Sequence, residues 1–222
     1  MKQFAWKTAA LAVILTGAAC AQAPAERTVR VEFSNPGLVP ATWTLELRPD
    51  GTGHFHSERG TAPRPAAGWM EPPDLDQDVR VSAAYAAHVF ETAASLHYFQ
   101  MECESHAKVA FQGTKHLTYT GPDGGGSCSF NFSKDKQVQD LGDSLEAVAT
   151  TIIEGARLER LRQHDRLGLD QEMQTFAEMT TDGRAAEVCA IRGELERIAD
   201  DDAVMDRVRR RARDLLTKSK QN

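Results

Sequence analysis

The dominant apolar period of this chain changes near residue 133, and that change limits the folds open to it. Before it, Val29, Val31 and Phe33 alternate, as do Trp43, Leu45 and Leu47, then Cys128, Phe130 and Phe132. A period of two belongs to strands with one buried face. After it, Val138, Leu141, Leu145, Val148 and Ile152 recur at spacings of three and four, the pattern of an amphipathic helix. The expected fold class is α+β: a small, mostly antiparallel sheet with one packed helix, followed by a C-terminal antiparallel helical region of about four helices. Residues 24–132 form the sheet domain of this reading. Residues 133–222 form the helical region, whose short connections suit antiparallel neighbours; packing on the sheet as one unit and a separate core are both open to it.

Local signals fill in the order. Strands are expected over 28–33 and 43–47, with a turn at Pro49–Gly53 and a return strand from His54, a hairpin. Pro63, Pro65, Pro72 and Pro73 mark a surface loop from Gly60 to Pro73. Ser82 suits the N-cap of a helix that ends near Leu96 and buries Tyr85, Val89, Phe90 and Ala93. A short strand at Val109–Phe111 and a clearer one at Leu117–Thr120 lead into a glycine-rich turn, Gly121–Gly126. Ser133 is then read as the cap of a long helix reaching His164, with Gly155 as its weak point. Gly168 is read as a stop, Asp170 as the next cap, and Gly183 as the end of a short helix carrying Met173 and Phe176. A third helix carries Val188, Ile191, Leu195 and Ile198. Asp200–Asp202 is read as the cap of the fourth, which carries Val204, Val208, Ala212 and Leu215.

The first residues read as an export signal. Lys2 and Lys7 precede an apolar run, Ala9–Ala19, and small residues follow it. Cleavage before Gln22 removes residues 1–21. A lipoprotein signal ending at Cys20 is the alternative: Gly17, Ala18 and Ala19 suit it, but Leu15 stands two positions early. The expected location is therefore exported: periplasmic, anchored to the outer membrane, or secreted. The run is too short to span a bilayer, which takes about 20 residues. Membrane attachment is expected only through a lipid at Cys20. Cleavage takes the formal charge from −6 to −8. An acidic body argues against nucleic acid as a partner, because that binding rests on many Lys and Arg contacts to phosphate.

Export makes the compartment oxidising, so cysteines are read first as disulfides. Cys103 and Cys128 lie within the sheet domain, and a bridge between them would stabilise by roughly 3 kcal/mol through loop entropy. Cys189 sits beside an apolar helical stripe and reads as a buried small residue. His54 and His56 flank Phe55, so on a strand both point the same way and are candidate metal ligands. Cys103 and His106, spaced C-x-x-H, would complete a four-ligand set if that cysteine were free. The simpler reading is an exposed strand face with Phe55 turned inward. Gly124–Ser127 lacks the Lys-Ser/Thr ending of a phosphate loop, and neither H-E-x-x-H nor G-x-S-x-G occurs. His164-Asp165 and Asp170 fall at a helix junction, where capping carboxylates are normal. The last helix carries Arg207, Arg209, Arg210, Arg211, Arg213 and Lys218, read as a solvated basic face.

The segments Phe111-Gln112-Gly113-Thr114-Lys115, Gly121-Pro122-Asp123-Gly124, Phe130–Asp135 and His164–Asp170 resemble uncharacterised exported bacterial proteins. The resemblance covers about half of the chain and implies no activity. A looser likeness, of architecture alone, is to small exported inhibitor-like domains, and architecture does not carry function. The leading expectation is a non-enzymatic binding or interaction module of the cell envelope, with no cofactor and with a protein or small molecule as partner. The alternatives are a metal-binding protein or metal-dependent enzyme using His54 and His56, and an inhibitor of a periplasmic enzyme.

Overall fold

The structure, a computed structural model, describes residues 26–62 and 70–219. The signal-peptide reading of residues 1–21 and the lipidation reading of Cys20 lie outside the described residues, as does the middle of the proline-rich loop.

Six strands form one antiparallel sheet: β1 (Thr28–Ser34), β2 (Thr42–Leu47), β3 (Thr52–Glu58), β4 (Leu75–Arg80), β5 (Thr114–Gly121) and β6 (Gly124–Phe130), in the order β4-β3-β2-β1-β5-β6. The period of two sends Val29, Val31, Phe33, Trp43, Leu45, Leu47, Phe55, Leu117, Tyr119 and Phe130 to one buried face. Registers such as Leu117–Val31–Leu45–Phe55 carry each apolar row across neighbouring strands. Phe33 stacks on Trp43 at 5.2 Å, and Trp43 on Phe55 at 6.3 Å, tying three strands together.

The buried face packs against α1 (Ala83–Ser95) and the first half of α2 (Lys136–His164). Gly142 permits this approach: a Cβ there would lie 2.7 Å from the Phe130 ring. The second half of α2 joins a different cluster. There Leu158 and Leu161 meet residues of α3 (Arg166–Asp182), α4 (Arg192–Asp200) and α5 (Asp206–Lys218), among them Leu169, Phe176, Leu195 and Val208. Gly155, the weak helix former, sits where Ile191 presses closest; a Cβ would lie 2.3 Å from its Cγ2. The fold is α+β with a helical C-terminal region, and α2 is the beam common to both parts.

Several local expectations need correction. Residues 109–111 form no strand: the Val109 amide donates to the Ala107 carbonyl, and the Asn131 side chain donates to the Ala110 carbonyl and accepts from the next amide, that of Gln112. The glycine run is strand, not turn. Only Pro122 and Asp123 connect β5 to β6, and Gly124 is needed under the Tyr98 ring, 2.4 Å from any Cβ. Asp135 rather than Ser133 caps α2, accepting from the Gln137 and Val138 amides. Gly168 does not stop a helix and Asp170 caps none. The break falls at Asp165, which caps α3, and Gly168 leaves room for that carboxylate in the first turn. Val188–Ile191 is a tighter 3-10 turn before α4. Asp201 closes its turn on the Ala203 amide, and α5 starts after Met205 without a side-chain cap. β4, unforeseen, is an edge strand with only Leu75 and Val79 buried.

The strands end in two different ways. At one end the connections are tight: 48–51, 81–82 and 122–123. At the other lie 35–41, the described residues 59–62 and 70–74, and also 106–113 and 131–135. The chain reaches this second end by an unusual path. His97, Tyr98 and Phe99 are consecutive left-handed residues, with φ of 51, 56 and 65. Such conformations cost roughly 1–2 kcal/mol per residue without glycine. Burial of Phe99 and stacking of Tyr98 on Tyr119 at 4.5 Å hold them there. Residues 100–105 then run beside β6: Gln100 donates to the Gly125 carbonyl, Cys103 bonds to Cys128, and the Ser105 amide meets the Phe132 carbonyl. This segment covers a sheet edge that would otherwise be open.

Candidate functional site

Helices cover one face of the sheet; the other is open and polar. Cross-strand register arranges it in rows. One reads Asp78–His54–Glu46–Arg30–Thr118–Ser127, and the next Asp76–His56–Thr44–Glu32–His116–Ser129. His54 and His56 therefore do share a face, as their spacing requires, and β4 brings two aspartates opposite them. Asp76 lies between the rings, 3.0 Å from His54 Nε2 and 3.4 Å from His56 Nδ1. Asp78 lies 3.1 Å from His54 Nδ1. With carboxylates against both nitrogens, His54 favours imidazolium. Its pKa is raised chiefly by the Asp78 hydrogen bond, with Asp76 adding to the effect. These groups border a shallow hollow of about 440 Å³ that also takes in Arg30 and Glu46.

Metal chemistry finds less here than the sequence offered. The Cys103–Cys128 disulfide, with sulfurs 2.00 Å apart, removes Cys103 from any ligand set and leaves His106 without its C-x-x-H partner. The ring nitrogens of His54 face separate carboxylates on opposite sides rather than one central point. Among the described residues, no group of three or more His, Cys, Asp or Glu side chains is arranged to hold a metal ion.

Other chemically distinctive groups are elsewhere. A hollow of about 500 Å³ between α3, α5 and the 3-10 turn is lined by Ser82, Thr180, Glu187, Cys189, Leu215 and Lys218. Glu187, itself left-handed at φ 53, accepts from the Ser82 amide at 2.6 Å and its hydroxyl at 3.1 Å. That carboxylate anchors the start of α1, where negative charge suits the helix dipole. Cys189 is half-buried rather than fully buried. Its thiol points at Glu187, and burial with that carboxylate pushes its pKa up to about 11, so it remains a thiol at neutral pH. Between α2 and α3, Arg157 meets both Glu154 at 3.4 Å and Glu172 at 3.2 Å. Burial pushes the Glu154 carboxyl up to about 7, and no sequence pattern marks the pair because α3 delivers one member.

The basic helix is largely neutralised. Asp170 receives both Arg207 and Arg211, Asp202 receives Arg209, and Arg213 donates to the Ala199 carbonyl. Asp165 and Asp170 are thus a cap and an ion-pair partner, which leaves His164 without the acid–base neighbours its sequence position suggested. No helix among the described residues is long and apolar enough to cross a membrane. No protein-family model matches the chain, and no curated protein does either.

Proposed function

We propose that the chain is an exported cell-envelope protein that binds a partner through its sheet half and catalyses no reaction. The observation that carries this reading is the one-sided sheet, whose uncovered face is a broad polar surface. Its titratable groups answer one another across strands, as His54 does with Asp76 and Asp78, instead of converging on a reacting atom. The basic start and apolar run of residues 1–21 support export, and the disulfide suits an oxidising compartment.

Envelope fractionation with intact mass tests the first part. A chain starting at Gln22, or at a diacylglycerol-modified Cys20, agrees with export; a cytoplasmic chain retaining residues 1–21 overturns it. Lysine-reactive cross-linking in cells tests the second: a discrete heteromeric band is expected, and a monomer alone under all conditions counts against a binding role. The metal alternative is separated by metal analysis of the purified protein. Stoichiometric zinc that disappears in His54→Ala/His56→Ala would replace the present reading.

A further inference from the structure

We propose that the long-loop end of the sheet is a preformed docking surface for a protein partner offering an apolar pocket with an acidic rim. The proposal rests on the binding reading above and assigns where, and by what chemistry, binding takes place.

Among the described residues five large apolar side chains are exposed, and four stand at this end. Leu38 is 47% exposed, Val109 46%, Phe111 59% and Phe132 37%; the fifth, Leu167, is at the corner between α2 and α3. Burying a phenylalanine stabilises a fold, so leaving Phe111 in water forgoes appreciable stability. Clustered exposed apolar side chains mark interaction sites more often than chance surface.

The segment carrying Phe111 is nevertheless fixed. Glu104 accepts from the Asn131 amide at 2.7 Å, the Ser105 amide at 2.8 Å and the His106 amide at 3.2 Å. Asn131 clamps residues 110 and 112. Asn35 Nδ2 donates to the Gln112 carbonyl at 3.0 Å and so joins the Leu38 loop to the Phe111 loop. The disulfide fixes the point of departure at Cys103. A loop whose polar backbone is satisfied by its own side chains presents its tips with little ordering cost on binding.

Charge names the partner's rim. Lys108 and Lys134 are exposed and flank the apolar tips, and neither makes an ion pair among the described residues. Lys136 is taken by Asp140, and the carboxylates of Glu104 and Asp135 are spent on backbone amides, the first inside the loop and the second at the start of α2. The rim is therefore cationic, which complements an acidic surround. A lipid surface fits less well. A few partly covered side chains bury less than one acyl chain, and one acyl chain alone binds membranes only marginally. Phe111, the most exposed of the four and held on a fixed loop, suits a pocket, where aromatic anchors dominate affinity.

The test is site-specific photo-crosslinking of the full chain in its own host, with benzoylphenylalanine at position 111, at 118 on the open face, or at 122 at the tight-turn end. The proposal expects a discrete protein adduct from 111 that is stronger than any from 118 on the adjoining open face, and none from 122. That protein, purified, should bind the wild-type chain and lose roughly 30-fold or more in affinity on Phe111→Ser, the loss of a hot-spot side chain. Phe111→Trp should restore most of it, and Lys108→Glu/Lys134→Glu should weaken binding more at low salt than at high. Circular dichroism and thermal unfolding check that Phe111→Ser folds. Adducts from 118 alone overturn the docking end while leaving a binding role intact. Lipid adducts from 111, or flotation with phosphatidylglycerol vesicles lost in Phe111→Ser, overturn it in favour of a membrane. No adduct from any position removes both the docking end and the binding role.

Discussion

The two ends of the sheet are built from the same strands by opposite means. At the tight-turn end, local chemistry closes each connection with few residues. Asp50 accepts from the Thr52 amide and hydroxyl, Gly51 adopts φ 80, and Asp123 accepts from the Tyr119 hydroxyl at 2.6 Å. No large apolar side chain among the described residues is exposed there. At the long-loop end, side chains distant in sequence do the closing: Glu104 and Asn131 across 27 residues, Asn35 and Gln112 across 77. The apolar residues they hold face water. One end uses its residues to terminate strands; the other uses them to hold a shape that the strands do not need.

Substitutions break this contrast in order of size. The largest effect is expected from Cys103→Ser/Cys128→Ser. Opening a closed loop of 25 residues' separation should cost about 3 kcal/mol in chemical denaturation. The loss should fall unevenly, with faster amide exchange in 104–113 and little change at 48–53; equal loosening at both ends would erase the contrast. Gly51→Ala comes next. A Cβ there would lie 2.7 Å from the Val81 carbonyl oxygen at a left-handed φ, so a loss of about 2 kcal/mol is expected, seen in the unfolding midpoint. Crosslinking from position 111 should survive that change, because it acts at the far end.

Glu104→Gln is the smaller, sharper probe. It keeps the shape but removes the charge, and is expected to cost about 1 kcal/mol at neutral pH. The backbone amides around Glu104, that of Asn131 first, hold its pKa below the ordinary carboxylate value. A depressed folded pKa means the stabilisation is present above the unfolded carboxylate range and is lost as pH falls through the folded value. Stability measured against pH should therefore show a shallower acid decline in Glu104→Gln than in the wild-type chain. Identical slopes would remove Glu104 from the clamp.

Much of the architecture was legible because it is written in period. The alternation around Phe33, Leu45 and Phe130, the stripe from Val138 to Ile152 and the Ser82 cap each declare themselves within a few residues. The Cys103–Cys128 bridge agrees with the pairing expected from position and from an expected oxidising compartment. What escaped was set by distant partners. β4 has acids at Asp76 and Asp78 because it is an edge strand facing the histidines of β3, and its weak alternation, Leu75-x-Gln77-x-Val79, was the only signal. Val109 and Phe111 looked like a strand because their spacing is that of one. Only the structure places the Asn131 side chain where a neighbouring strand would be, and turns both outward. His54 and His56 were correctly placed on one face, while the loss of Cys103 to the disulfide removed the set that would have made them half of a four-ligand site.

The most direct measurement is residue-resolved hydrogen exchange on the free protein, read at the amides of Ser105, His106, Gln112 and Asn131. A preformed docking end requires these four to exchange as slowly as strand amides such as Thr44 or Thr118, although none of them lies in a helix or strand. Exchange at the rate of an unstructured chain in 104–113, with the strands still protected, would contradict it.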